Sequence, residues 1–113
     1  MYSFILVAAT GLMLAGSPNL AENSDLQQKP GTRPPEYPID AFERGETAKT
    51  EVSCDISEAG IPSNCHIAKS NNPHFNASAL EFVQRMRYVP ARRNGKNIAV
   101  PNHIEHVNFT MPD

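Results

Sequence analysis

The residues best suited to metal binding or nucleophilic chemistry are four histidines and two cysteines. His103 and His106 are separated by two residues, and on a helix this spacing would bring their imidazoles together. The surrounding residues alternate as in a strand, where the two side chains point to opposite faces. We therefore expect no metal site at this pair, although imidazoles from separate strands could still converge.

The sequence contains none of the catalytic motifs with a recognisable mechanism. Gly-x-Ser-x-Gly, a Walker-type glycine loop and His-Glu-x-x-His are all absent. Cys65 beside His66 could suggest a thiolate and imidazole pair, but neighbours in a strand face opposite ways. The Cys-x-x-Cys spacing of redox proteins is also missing. The sequence thus predicts no enzyme, no catalytic residue and no cofactor.

The segment from Ala48 to Ile56 is the clearest predicted element, because an apolar set of residues alternates with a polar set. The set on the apolar face consists of Ala48, Thr50, Val52, Cys54 and Ile56. A period of two with one apolar face is typical of a half-buried strand.

A second short strand is predicted from Asn64 to Ser70, after a turn. If the hairpin register places Cys54 opposite Cys65, the same register places Val52 opposite Ile67. Both pairs then lie on the apolar face, and the two sulfurs come within bridging distance. Such a disulfide would close a loop of about a dozen residues and stabilise the fold by roughly 3 kcal/mol.

An amphipathic helix is predicted after this hairpin. Asn76 is a suitable N-cap, with Phe75 and Leu80 at the positions of a hydrophobic staple. The helix is expected to end near Tyr88, because Pro90 disfavours helical geometry in the residue before it.

The remaining elements complete the fold class. Residues 39–44 predict one short helical turn ended by Gly45, and residues 93–96 predict a turn. Residues 98–111 predict the last strand, interrupted at Pro101-Asn102. The order strand, strand, helix, strand predicts an α+β fold: a three-stranded antiparallel sheet (β-β-α-β) with one helix packed on one face.

The N-terminal residues suggest export. An apolar or small-residue run from Phe4 to Gly16 is shorter than the roughly 20 residues that span a membrane, and it suits a secretory signal. We interpret residues 1–21 as a signal peptide, residues 22–34 as a flexible polar lead-in and residues 35–113 as the folded domain. A truncated anchor or a buried N-terminal segment is the alternative. Export to an oxidising compartment favours the disulfide.

The composition excludes some partners. The formal net charge of −2 gives no electrostatic reason to bind nucleic acid or anionic lipid, since both favour strongly basic surfaces. With 40% hydrophobic and 19% charged residues, the chain has the composition of an ordinary folded domain.

Several features stand in a specific order between Pro35 and Phe109. Tyr37-Pro38 precedes the first strand, residues 87–91 read Arg-Tyr-Val-Pro-Ala at the end of the helix, and Asn94-Gly95 forms the following turn. In this order and spacing the chain resembles the TonB C-terminal domain family. The resemblance implies a stand-alone periplasmic domain that captures an extended segment, the TonB box, of an outer-membrane transporter.

In that family the captured segment lies along the last strand, where unpaired backbone groups at a sheet edge can accept a further strand. The partner-binding residues that the resemblance implies are Tyr37, Pro38, Asn102, His103, Ile104, Glu105, His106, Val107, Asn108, Phe109 and Thr110. Tyr37-Pro38 could instead seat the chain against the sheet, and both roles are compatible.

We expect the chain to depart from a full energy transducer, with no transmembrane anchor once the signal is removed and no long proline-rich spacer. We therefore expect an adaptor, a competitor for transporter boxes or a binder of another envelope protein. The alternative is a structural envelope protein that self-associates through the same edge as a homodimer and has no transport role.

Overall fold

The structure is a computed structural model that describes residues 22–112. The predicted signal peptide lies outside the described residues. In chain order the elements are β1 (Gln27–Gln28), α1 (Ile39–Glu43), β2 (Ala48–Ile56), β3 (Pro62–Ser70), a 3-10 turn (Pro73–Phe75), α2 (Asn76–Arg85), β4 (Tyr88–Val89), β5 (Ala91–Arg93), β6 (Lys96–Ile98) and β7 (Val100–Phe109).

The main sheet has three antiparallel strands in the order β3-β2-β7. The strand β2 is central, and the last strand β7 lies at one edge. Helix α2 packs on one face of this sheet through its buried residues Ala79 and Val83. The predicted α+β fold, with three antiparallel strands and one helix on one face, is confirmed.

The core follows the alternation of β2. All five residues predicted on its apolar face are buried, and they pack with Val107 and Phe109 of β7. Lys49 and Glu51, on the other face, are exposed and half-buried respectively. The alternating pattern predicted for this strand is therefore confirmed except at Ser53, which is also buried. It fixes which face of the sheet the helix covers.

The two cysteines have the geometry of a disulfide bond. Their sulfur atoms lie 2.08 Å apart and their Cα atoms 4.2 Å apart. Val52 is paired with Ile67, as the predicted register requires. The ladder shifts by one residue beside Cys54, where Asn64 adopts a positive φ of 51°. A β-bulge therefore accompanies the cross-link.

The turn between β2 and β3 lies against β4. The Tyr88 N–H donates to the Gly60 carbonyl at 3.0 Å. Gly60 has φ +81°, and a Cβ atom there would lie 2.0 Å from the Tyr88 carbonyl oxygen. Only glycine combines this conformation with so close an approach. The turn thereby fixes the position of Tyr88 beside β7.

The helix boundaries differ from the prediction. Asn76 is the first residue of α2 and not its N-cap, and its Oδ1 is buried with no hydrogen-bond partner among the described residues. Asn72 instead caps the 3-10 turn by accepting the His74 N–H at 3.1 Å. The helix ends at Arg85, because the backbone of Met86 is already extended, with φ −66° and ψ 156°.

Two further differences concern strands. The predicted last strand is divided, because residues 96–98 form β6, the partner of β5, and β7 begins at Val100. The predicted turn at Asn94-Gly95 joins β5 to β6, and both of its residues have positive φ. No strand was predicted before residue 35, yet β1 pairs with β4.

Candidate functional site: the outer edge of the last strand

The strand β7 has one neighbour in the part of the chain that the structure describes. It pairs with β2 in an unbroken register from His103 to Phe109. No backbone hydrogen bond joins its other side to residues 22–112. The outer edge of β7 therefore presents unpaired backbone donors and acceptors.

The direction of the backbone groups follows from one side-chain contact. The Thr50 hydroxyl donates to the Val107 carbonyl at 2.6 Å, so this carbonyl faces β2. In an antiparallel ladder the backbone groups of successive residues alternate between the two edges. Ile104, His106 and Asn108 therefore direct their N–H and C=O groups outwards, where an added strand would bind.

The regular part of this edge begins after a bulge. Asn102 has φ +54°, and the register between β7 and β2 shifts at this point. The Asn102 N–H donates to Asp55 Oδ1 at 3.0 Å. This bond, assisted by the Asn64 side chain, lowers the pKa of Asp55. Because of the bulge at Asn102, the regular pairing of β7 with β2 begins at His103.

One face of β7 is open to solvent. Ile104 is 39% exposed there, and His106 Nδ1 lies 3.8 Å from the Glu51 carboxylate. Asn108 pairs with Lys49 on the same face. Side chains of an added strand on this face would meet one aliphatic, one imidazole and one amide group.

The other face of β7 carries a hydrogen-bonded carboxylate. The side chain of Glu105 is 13% exposed and accepts from the Tyr88 hydroxyl at 2.8 Å. It also contacts His103 Nε2 at 3.0 Å and accepts from Gln28 Nε2 at 2.5 Å. Burial and the bond to Glu105 raise the pKa of Tyr88. Glu105 thus joins β7 to β4 and β1.

Tyr37 lies at the far end of β7. Its ring makes edge contacts with Phe42, Phe75 and Phe109, at centroid distances of 5.5, 5.3 and 5.9 Å. Its hydroxyl donates to the Glu46 carbonyl and lies 3.3 Å from the sulfur of Met111. Tyr37 therefore seats the chain against the sheet, while peptide contact by this residue stays a prediction.

Two other predicted site residues, Pro38 and Thr110, lie outside β7. Pro38 precedes α1, and Thr110 follows the end of β7. Sequence reasoning missed Tyr88 and Gln28 as the partners of Glu105. The hydrophobic pattern contains no sign of them, because both contacts join residues far apart in the chain.

The two histidines of β7 lie on opposite faces of the strand, as predicted. The His103 ring lies 5.3 Å from that of Tyr88 on the helix side, and His106 lies near Glu51 on the open side. Residues 22–112 contain no group of three or more His, Cys, Asp or Glu that could hold a metal ion. Within the same range, no helix has the length and apolar character needed to cross a membrane.

Comparison with known proteins identifies the family. The sequence profile described as "Gram-negative bacterial TonB protein C-terminal" matches residues 33–111. No curated protein is detectably similar in sequence. The solution NMR structure of the Pseudomonas aeruginosa TonB CTD has a TM-score of 0.61 at 21% identity, covering 80% of this chain and 91% of that chain. The TonB2 protein from Vibrio anguillarum gives 0.59 at 21% identity and covers 100% of both chains. Since the profile spans well over half of the sequence, this chain belongs to the family of Gram-negative bacterial TonB protein C-terminal domains.

Proposed function

We propose that this chain is a periplasmic peptide-binding module and not an enzyme. Its outer β7 edge would capture an extended segment of an outer-membrane transporter or of another envelope protein. The family supports this class of partner, because TonB C-terminal domains interact with outer-membrane transporters. The disulfide geometry of the cysteine pair suits the oxidising periplasm.

The observation that carries the proposal is the unpaired outer edge of β7 from His103 to Phe109, where the pairing with β2 is regular. An extended peptide gains affinity there from main-chain hydrogen bonds and selectivity from the side chains beside them. Ile104 and His106 would contact alternate peptide side chains on the open face. Glu105 would bind a peptide side chain weakly, because its carboxylate already has three partners.

An NMR titration of the labelled chain with transporter-box peptides tests the proposal. The amide signals of Ile104, His106 and Asn108 should shift first, because their N–H groups point outwards. The amides of β3, at the opposite edge, serve as the internal control. Absence of shifts in β7 with every transporter peptide, or larger shifts in β3, would refute capture by this edge.

Self-association through β7 would occupy the same backbone groups. Sedimentation at several protein concentrations separates this alternative from peptide capture. A tight dimer whose β7 amides are protected from hydrogen exchange would leave no edge for a peptide. A monomer whose β7 amides exchange rapidly and shift with peptide is the expected result.

A further inference from the structure

A second strand-like contact joins the segment of residues 22–29 to the chain of residues 87–95. The paired residues are Gln27 with Val89, Gln28 with Tyr88, and Ser24 with Arg92. Ser24 lies three residues before Gln27, and its partner Arg92 lies three residues after Val89. All three pairs therefore share one antiparallel register. Residues 22–29 therefore lie along residues 87–95 as an added strand, although only Gln27–Gln28 has the regular pairing of a strand, β1.

Main-chain bonds hold most of this contact. They join the Ser24 N–H to the Arg92 carbonyl (3.1 Å), the Arg92 N–H to the Ser24 carbonyl (2.8 Å), the Lys29 N–H to the Arg87 carbonyl (2.9 Å) and the Gly95 N–H to the Glu22 carbonyl (2.9 Å). Such bonds are available to any extended peptide that lacks proline at the donor positions. The identity of the bound segment is therefore set by a few side chains.

Four side chains of the segment make specific contacts. The Asn23 side-chain oxygen accepts the Asn94 N–H at 3.1 Å. Leu26 is partly buried and packs against the core. The Asp25 carboxylate lies 3.2 Å from the Arg93 guanidinium, and Gln28 donates to Glu105. The remaining side chains are largely exposed. This segment thus has one apolar anchor, one acid and two amides.

The match between this segment and its edge is incomplete. Val89 is 42% exposed, and its cross-strand neighbour is the exposed Gln27. An aliphatic side chain at the Gln27 position would pack on Val89, and such cross-strand pairs are favourable in sheets. The chain's own segment is therefore not the best occupant that this edge could bind.

We propose that the edge formed by residues 87–95, here called the second edge, is a further peptide-binding site that residues 22–29 fill in cis. Its ligand is an extended peptide of an envelope partner that carries an acid for Arg93 and two successive aliphatic residues. The first aliphatic residue takes the place of Leu26, the second covers Val89, and an amide then reaches Glu105.

The cis segment competes with such a ligand. A tethered segment has an effective concentration on the order of 1 mM, so a free peptide binds the intact chain weakly unless it makes better contacts. Weakening the contact between Leu26 and the core should therefore free the second edge for a peptide. An aliphatic side chain at position 27 of the chain would pack on Val89 and should keep the cis segment in place.

The test uses the full chain, labelled for NMR, and a synthetic peptide of residues 22–29 carrying Gln27→Val. The peptide should shift the amides of Arg92 and Gly95, whose N–H groups donate to the cis segment, and Leu26→Ala in the chain should tighten its binding by roughly fivefold to tenfold. The matched variant Gln27→Val in the chain should weaken binding by about twofold to fivefold. The spread of amide shifts in each variant reports whether the domain remains folded.

Three outcomes would overturn the proposal. They are affinities that do not respond to either chain variant, peptide shifts confined to residues 102–110, and a concentration-dependent dimer that excludes the peptide by exchanging residues 22–29 between copies. The titration with transporter peptides reports on different amides, those of Ile104, His106 and Asn108. An absence of peptide binding at the second edge is therefore distinguishable from an absence of peptide binding at β7.

Discussion

Replacing His106 with proline should weaken peptide capture by β7 while preserving the main sheet. The N–H of His106 points away from β2, so its loss removes no hydrogen bond from the ladder between the two strands. Proline is tolerated at such edge positions, where the missing donor faces solvent. The imidazole itself contributes little to the stability of the sheet, since it is 68% exposed and lies 3.8 Å from Glu51.

The magnitude follows from the hydrogen bonds that an added strand would lose. One main-chain bond contributes about 0.5–1.5 kcal/mol net. The proline ring also keeps the incoming backbone at a distance, so a neighbouring bond is lost as well. The expected loss is about 1–3 kcal/mol of binding free energy, or roughly 5-fold to 150-fold in Kd.

Titration calorimetry with a transporter-box peptide measures this effect, and His106→Ala is the matched control. The alanine variant removes the same imidazole but keeps the N–H, so the difference in Kd between the two variants reports the backbone contribution alone. Far-UV circular dichroism checks that both variants retain the sheet. Equal affinity of the proline variant and the unsubstituted chain, or equal losses in the two variants, would show that backbone pairing at β7 does not hold the peptide.

Three further predictions concern stability. Gly60→Ala should lower the free energy of unfolding by about 2–5 kcal/mol, because residue 60 has a positive φ and the new Cβ would lie 2.0 Å from the Tyr88 carbonyl oxygen. A loss under about 0.5 kcal/mol in urea denaturation would contradict this. Replacing Cys54 and Cys65 together by serine should cost about 3 kcal/mol, and reducing the unsubstituted chain should produce a similar loss in the same assay. Hydrogen bonds from Asn72, Arg44 and His74 lower the pKa of Glu46 from 4.5 to about 2. Because the folded-state pKa is the lower one, this stabilisation is complete above about pH 4.5 and is lost as the pH falls towards 2. Glu46→Gln should flatten that part of the stability profile, and an unchanged acid slope would refute the assignment.

The features that were predictable from the sequence depend on local patterns. The period of two in β2 defines both its conformation and its buried face, and the spacing of Cys54 and Cys65 fixes the hairpin register. Asn94-Gly95 marks the turn between β5 and β6, because both residues readily adopt positive φ. The outer position of β7 followed from the family resemblance, since strand order in a sheet is not a local property.

The features that were missed depend on contacts distant in sequence. Gln27 and Gln28 have no apolar alternation, and they become a strand only because Tyr88 and Val89 offer backbone partners. Tyr88 takes part in this pairing and lies outside helix α2, which ends at Arg85. Asn76 was predicted as the N-cap, but a 3-10 turn capped by Asn72 precedes the helix. The cap propensity of one residue does not fix a helix boundary to within one or two residues.

The two edges of the main sheet are not equivalent, and their difference favours β7 over β3 as the binding strand. The ladder between β3 and β2 shifts register twice, once on each side of the Val52–Ile67 pair. Bulges of this kind twist an edge and make it a poor template for a further strand. From His103 to Phe109 the β7 ladder has no such shift, so its outward N–H and C=O groups keep the regular spacing that an extended peptide requires. An insertion of one residue after Glu105 would impose on β7 the irregularity that β3 already has. Peptide binding should then fall much further than thermal stability does, and a parallel decline of the two would mean that binding depends on the intact fold alone.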